Sequence, residues 1–362
     1  MLFSRIFAAC ILSSLAGGLG AQQPPDVATI AVSARLVVVP AVVRYKHGAL
    51  VNDLTRDNFV LKVDGKPQPL RYFDHDADVP LTLGLLIDTS MSQVAILDDE
   101  RTASTAFLNK MIAPADQSFV MEFDNAVRLL ADVTASRPAL DQALRQIDTP
   151  HPDFSGVSGG ARAARPGMMN PAVRDAILAV VGTKLFDAVD YAARNISAKH
   201  PGRNALILLT DGGDHGSAKT LEQSVAAAQR SDTVIYAIYY QAEFGANRDA
   251  LRDALRSHAG SAAAAPAGEI VVPASTVQSR KRIDGRKTLE HLCVETGGKV
   301  FEVSSKQSVA DIYAKIAEEL RAQYRLGFSP PEQAGAASYH RVTLTLSGAK
   351  GTIQTRDGYY AR

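Results

Sequence analysis

The chain has 362 residues, with 39 Lys and Arg against 38 Asp and Glu, two cysteines, no tryptophan and 6% aromatics. A formal charge of +1 and so few aromatic residues argue against binding nucleic acid by bulk electrostatics or base stacking. Two cysteines make neither a disulfide scaffold nor a multi-Cys zinc module.

Residues 1–21 have the order of a secretory signal: Arg5, an apolar stretch from Ile6 to Leu15, then small residues up to Gln22-Gln23-Pro24-Pro25. Cleavage is expected near Gly20 or Ala21. The apolar stretch is short of the ~20 residues that span a bilayer, and Cys10 follows Arg5 too closely for a lipoprotein signal. The expectation is an exported protein, secreted or periplasmic, with no membrane span once the leader is gone. Losing Arg5 and Cys10 brings the charge balance to zero and leaves Cys293 alone.

Residues 22–79 read as β-rich. Strands are predicted over Ala34–Tyr45, Phe59–Val63 and Gln68–Phe73, with a hairpin signal at Asp64-Gly65. Residues 80–322 alternate strand and helix. Predicted strands are Leu81–Asp88, Phe119–Phe123, Val127–Leu130, Ala205–Thr210, Thr233–Tyr240 and Val300–Val303. Predicted helices cover Gln93–Ile112, Pro138–Ile147, Lys184–Ser197, Leu221–Arg230, Lys287–Thr296 and the apolar stripe of Val309, Ile312, Tyr313, Ile316 and Leu320. The continuous apolar runs LTLGLLID and ALILLT suit strands buried on both faces of a mostly parallel sheet. Residues 323–362 return to strand texture at Tyr324–Phe328, Tyr339–Leu346 and Thr352–Thr355. The fold class is therefore α/β, a doubly wound and mostly parallel sheet with helices on both faces. A small β module, in which the two flanks pair as one sheet, is expected beside it.

Loop insertions are expected near 149–172 and 244–286. The first contains Gly156-Val157-Ser158-Gly159-Gly160, the spacing of a hydrolase nucleophile elbow. That motif has meaning only at a strand-to-helix turn, and its Gly/Pro-rich surroundings favour a flexible loop. A serine hydrolase using Ser158 stays as an alternative. The basic run Arg280-Lys281-Arg282 reads as a solvated loop. His291 and Cys293 are two apart without further ligands nearby, which disfavours zinc. Asp214 and His215 read as solvated loop residues. Asn195-Ile196-Ser197 fits a glycosylation acceptor but falls on a predicted helix.

The chemistry concentrates where two buried strands end. Asp88-Thr89-Ser90-Met91-Ser92 follows the first, Thr210-Asp211-Gly212-Gly213 closes the second, and Gly182-Thr183 precedes a helix. In open parallel sheets, ligands bind outside the carboxyl ends of strands. Asp88, Ser90, Ser92, Thr183 and Asp211 form an all-oxygen set, which suits a hard divalent cation.

This pattern resembles the metal-ion-dependent adhesion site of the von Willebrand factor type A domain: Asp-x-Ser-x-Ser at Asp88, Ser90 and Ser92, a Thr at Thr183, and an Asp after a later buried strand at Asp211. The resemblance covers residues ~80–322. The flanks resemble those of a bacterial secreted group related to that domain, through Asp53-Leu54, Asn58-Phe59, Asp64-Gly65-Lys66, Tyr324-Arg325-Leu326-Gly327-Phe328 and Arg356-Asp357-Gly358-Tyr359. The resemblance implies Mg²⁺ or Mn²⁺ held by these five residues, and a protein partner whose acidic side chain completes the coordination. It implies binding without catalysis. A structural scaffold with a vestigial metal site is the remaining alternative. The partner and the oligomeric state are not readable from the sequence.

Overall fold

The structure is a computed structural model that describes residues 36–75, 79–90, 92–93, 96–111, 113–147, 182–200, 202–240, 269–270, 284–330 and 338–361. The leader, Ser158 with its glycines, and Arg280-Lys281-Arg282 lie outside the described residues. No helix among the described residues is long and apolar enough to cross a membrane.

The N-terminal flank forms β1 (Val37–Arg44), β2 (Phe59–Val63), β3 (Lys66–Gln68) and β4 (Tyr72–Asp74). The hairpin between β2 and β3 turns at Asp64 and Gly65, with φ of 48° and 77°. Two positive φ values in a two-residue loop match the twist of paired strands. The return strand is thus Lys66–Gln68 rather than Gln68–Phe73. It carries Pro67 and lies at a sheet edge, where a missing N–H costs no ladder bond.

The core follows as β5 (Leu81–Asp88), α1 (Leu97–Met111), β6 (Gln117–Phe123), β7 (Val127–Thr134), α2 (Arg137–Gln146), α3 (Leu185–Tyr191), β8 (Arg203–Thr210), α4 (Leu221–Arg230), β9 (Thr233–Tyr239), β10 (Glu269–Ile270), α5 (Gly285–Thr296), β11 (Val300–Glu302) and α6 (Val309–Arg321). A π turn over Ala192–Ile196 and a short 3₁₀ turn over Ser197–Lys199 continue α3. One seven-stranded sheet has the order β10-β7-β6-β5-β8-β9-β11. Strands β6, β5, β8, β9 and β11 run parallel, while β7 and β10 are antiparallel to their inner neighbours.

Leaving out the two-residue edge strand β10, the first core strand sits between the second and the fourth. This is the 3-2-1-4-5-6 order of a doubly wound sheet, whose switch point lies between the first and fourth strands. All eight residues of β5 and of β8 are buried. Leu83, Leu85 and Ile87 face a core layer with residues of α1, α2 and α6. Leu86 faces the opposite layer, with residues of α3, α4 and α5. That two-sided burial is why both strands read as continuous apolar runs.

The C-terminal flank adds β12 (Tyr324–Phe328), β13 (Tyr339–Leu346), β14 (Thr352–Thr355) and β15 (Gly358–Tyr360). The two flanks pair as expected, but into two four-stranded sheets, β14-β1-β12-β4 and β15-β13-β2-β3, instead of one. Val39, Ala41, Phe59, Leu61, Tyr324 and Phe328 belong to one shared apolar layer of this β module. Alternation explains the division. In β2 every second residue is exposed, whereas β1 is buried without interruption from Val39 to Val43.

Candidate metal centre

Asp88 ends β5 and Thr210 ends β8, the two strands that flank the switch point. Asp88 is fully buried. Its Oδ1 accepts from the Ser90 amide at 2.9 Å, and its Oδ2 accepts from Thr210 Oγ1 at 2.5 Å. The chain turns sharply after β5: Thr89 N donates to Phe123 O, and Gln93 N donates to Ser90 O, each at 2.9 Å. That turn brings Ser90 Oγ to 3.1 Å from Ser92 Oγ. Ser90 is 4% exposed, and Ser92 is half-buried.

Asp211 is fixed by its own turn, Oδ1 accepting from Gly213 N at 2.9 Å. Gly212 has φ of 74°, and a side-chain carbon added there would lie 2.2 Å from Gly285 O. The reciprocal carbon on Gly285 would lie 2.1 Å from Asp211 O. Glycine at both positions lets the loop after β8 press against the start of α5. Thr183, 5% exposed, pairs with His215 through two backbone hydrogen bonds, Thr183 N to His215 O at 3.0 Å and His215 N to Thr183 O at 2.8 Å. The segment before α3 is thereby tied to the Asp211 loop.

Two further acids hold this loop. Asp214 is buried rather than solvated. Its Oδ1 accepts from Phe186 N at 3.1 Å and from Ser217 Oγ at 2.6 Å. Asp187, buried on α3, accepts from Ala218 N at 3.0 Å and Lys219 N at 2.9 Å. His215 is exposed, as its sequence context suggests. Beside the site, Asp124 at the end of β6 accepts from Arg128 Nη2 at 2.7 Å, and its carbonyl accepts from Lys184 N at 2.8 Å. Glu122 takes Arg128 Nε at 2.6 Å. The supporting roles of Thr210, Asp187, Asp214 and Gly285 are absent from the sequence reading, which takes Asp214 for a solvated loop residue. Only Thr210, adjacent to Asp211, carries a local signal.

Burial raises the Asp88 carboxyl well above its ordinary range, and the nearby Asp211 charge raises it further. Hydrogen bonds from Ser90 and Thr210 offset part of this. Two carboxylates and clustered hydroxyls in a dry place are a donor set that lacks a positive charge, so the residues fit a hard divalent cation. Among the described residues, no group of three or more His, Cys, Asp or Glu has metal-holding geometry. The candidate set accordingly depends on its hydroxyls.

A second polar string lies on the β module. Ser338 Oγ is 2.8 Å from His340 Nε2, and His340 Nδ1 is 2.8 Å from Asp64 Oδ2, with Tyr359 stacked on the imidazole. The order is that of nucleophile, base and orienting acid. Acyl transfer also needs N–H groups aimed at a developing oxyanion. The amides of Arg341, Val342 and Ala361 are committed to Asp64 Oδ1, Asp357 O and Ser338 O. Among the described residues, the string ties the β2–β3 turn to β13 and to Ser338 just before it.

No protein-family model matches the chain. No curated protein matches it. Solved structures are similar. A von Willebrand factor type A protein from Catenulispora acidiphila is 11% identical, with 90% of this chain and 72% of that one covered at a TM-score of 0.42. The conserved hypothetical protein BatB from Bacteroides thetaiotaomicron is 12% identical, with 66% and 97% covered at 0.40. Proximal thread matrix protein 1 from the mussel byssus, in a form with a zinc-occupied MIDAS motif, is 13% identical, with 70% and 48% covered at 0.42.

Proposed function

We propose that the chain, whose core sheet is doubly wound, is an exported protein of the von Willebrand factor type A kind that binds another protein through a divalent cation. Asp88, Ser90, Ser92, Thr183 and Asp211 would hold Mg²⁺ or Mn²⁺. The observation that carries this reading is the buried Asp88 carboxyl, crowded by Asp211 and placed at the switch point with Ser90 and Ser92 beside it.

When bound, the cation supplies an electrophilic centre for an acidic side chain of the partner. Hydroxyl ligands neutralise little of its charge, which leaves attraction for that carboxylate. The chain's own residues do the positioning. Thr210 orients Asp88, Gly213 orients Asp211, and the backbone pair at Thr183 and His215 sets the third segment. With zero net charge after loss of the leader, affinity for an acidic partner would come from the site and not from the surface as a whole.

Millimolar Mg²⁺ or Mn²⁺ should raise the unfolding temperature of the wild type, and Asp88→Ala should remove that rise. No shift in the wild type would refute the metal site. Capture of a partner from the exported fraction should be lost with chelator; capture that persists would separate partner binding from the metal.

A further inference from the structure

The turn after β5 carries a buried polar side chain that the five-residue set leaves out. Gln93 follows Ser92 directly and is fully buried. Its backbone belongs to the same turns as the proposed ligands. Its N–H donates to Ser90 O, and its carbonyl accepts from Ile96 N, each at 2.9 Å. Its side chain reaches back to them as well. Gln93 Nε2 donates to Ser92 Oγ at 3.3 Å, and Ser92 Oγ is 3.1 Å from Ser90 Oγ.

This series of hydrogen bonds has a direction. The Ser90 side chain hydrogen-bonds the Asp88 carboxylate, and a carboxylate only accepts, so Ser90 donates there. A hydroxyl has one proton. Between the two serines, Ser92 is therefore the donor and Ser90 the acceptor. With its own proton so committed, Ser92 accepts from Gln93, which faces it with the amide nitrogen and not the oxygen. Protons thus point from Gln93 through Ser92 and Ser90 to Asp88.

The orientation has a consequence at the other end of the amide. Gln93 Oε1 is buried with no hydrogen-bond partner among the described residues. A buried acceptor left unsatisfied destabilises a fold by more than one neutral hydrogen bond returns. An apolar side chain of the same length would avoid that loss. Local rules are broken in this way where a site requires it. A hydroxyl ligand holds a hard cation through its oxygen and must keep its proton off the ion. Along this series each serine proton has a fixed acceptor.

We infer that Gln93 is a positioning residue of the metal centre, which fixes the Ser92 hydroxyl so that both serine oxygens are set before the cation arrives. The inference rests on the proposed metal site and adds to it a residue that acts through Ser92 without touching the ion.

Gln93→Met keeps the side-chain length and removes both the donor and the unsatisfied oxygen. The two losses should appear in different measurements on the full chain. With EDTA present, the unfolding temperature of the variant should equal or exceed that of the wild type, because the buried acceptor is gone. In calorimetric titration with Mg²⁺, the dissociation constant of the variant should be roughly two- to tenfold higher, the contribution of one hydrogen bond. An unchanged Mg²⁺ affinity would overturn the inference. A lower unfolding temperature in EDTA would make Gln93 a support of the fold and overturn it equally. A wild type that takes up no Mg²⁺ is a separate failure: it refutes the metal site itself, and the inference with it, before the variant is measured.

Discussion

Two acidic residues outside the metal centre show how surroundings reverse the sign of a pH effect. The Asp64 carboxyl is held below its ordinary 3.8 by its hydrogen bond with His340, and next by the Arg341 amide. A depressed folded value means that Asp64 contributes its stability above the unfolded value and loses it as pH falls through the folded one. Asp64→Asn should therefore lower stability above about pH 4 and flatten part of the acid limb of a stability–pH profile, the wild-type and variant profiles converging as pH falls. An unchanged acid limb would remove the tying role assigned to Asp64, His340 and Ser338. Glu100 on α1 is the opposite case. It is fully buried, and neither carboxyl oxygen has a hydrogen-bond partner among the described residues. Burial raises it well above its ordinary 4.5, and the charge of Asp88 adds to this. The unfolded chain releases this proton first, so stability falls as pH rises above the unfolded value. Glu100→Met should raise the denaturant midpoint, and by more at pH 8 than at pH 5. A gain equal at both pH values would show that packing, not ionisation, is responsible.

Among elements, the loop after β8 is the one whose order matters most to the site. It contributes Asp211, yet α3 holds it in place, through Asp187 and the amides of Ala218 and Lys219. Asp187→Ala leaves two amides without their acceptor, which costs on the order of 1–3 kcal/mol if they stay dry. The variant should lose that much stability in denaturant titration and also need more Mg²⁺ for the same thermal shift. Loss of stability with an unchanged metal midpoint would show that Asp211 is held without α3. This dependence is invisible in the sequence, since Asp187 lies inside an amphipathic stripe that reads as helix surface, and its partners are some thirty residues on. The candidate ligands were legible for the converse reason. Asp88, Ser90 and Ser92 lie within five residues, and Asp211 follows an apolar run whose burial is plain from composition. The strands β5, β8 and β9 were legible because both faces are buried. The helix predicted from Gln93 starts only at Leu97 because Ser90, Gln93 and Ile96 are linked in consecutive backbone turns. Strand β15 was missed because Gly358 reads as a turn, whereas β13 pairs across it, Arg341 opposite Gly358.

At the scale of the whole molecule, the two flanks depend on one another. Strand β1 of the N-terminal flank lies between β12 and β14 of the C-terminal flank, and β2 lies beside β13. Every neighbour of β1 in its sheet thus comes from the last forty residues, and Tyr324 adds hydrogen bonds to Val51 O at 2.8 Å and from Leu54 N at 3.0 Å. A chain ending at Ala322 would leave Val39, Ala41, Val42 and Val43, all fully buried in the intact protein, without the strands that cover them. The seven-stranded sheet draws no strand from the removed segment. Truncation should then abolish hydrogen-exchange protection at residues 37–44 and 59–63 while β5, β8 and β9 keep theirs. The Mg²⁺ response of the proposed site should persist, because its five residues all lie in the core. Protection retained in β1 would mean that the N-terminal flank folds without its partner strands. Protection lost in β5 and β8 as well would mean that the β module is a condition for the core fold and not an addition to it.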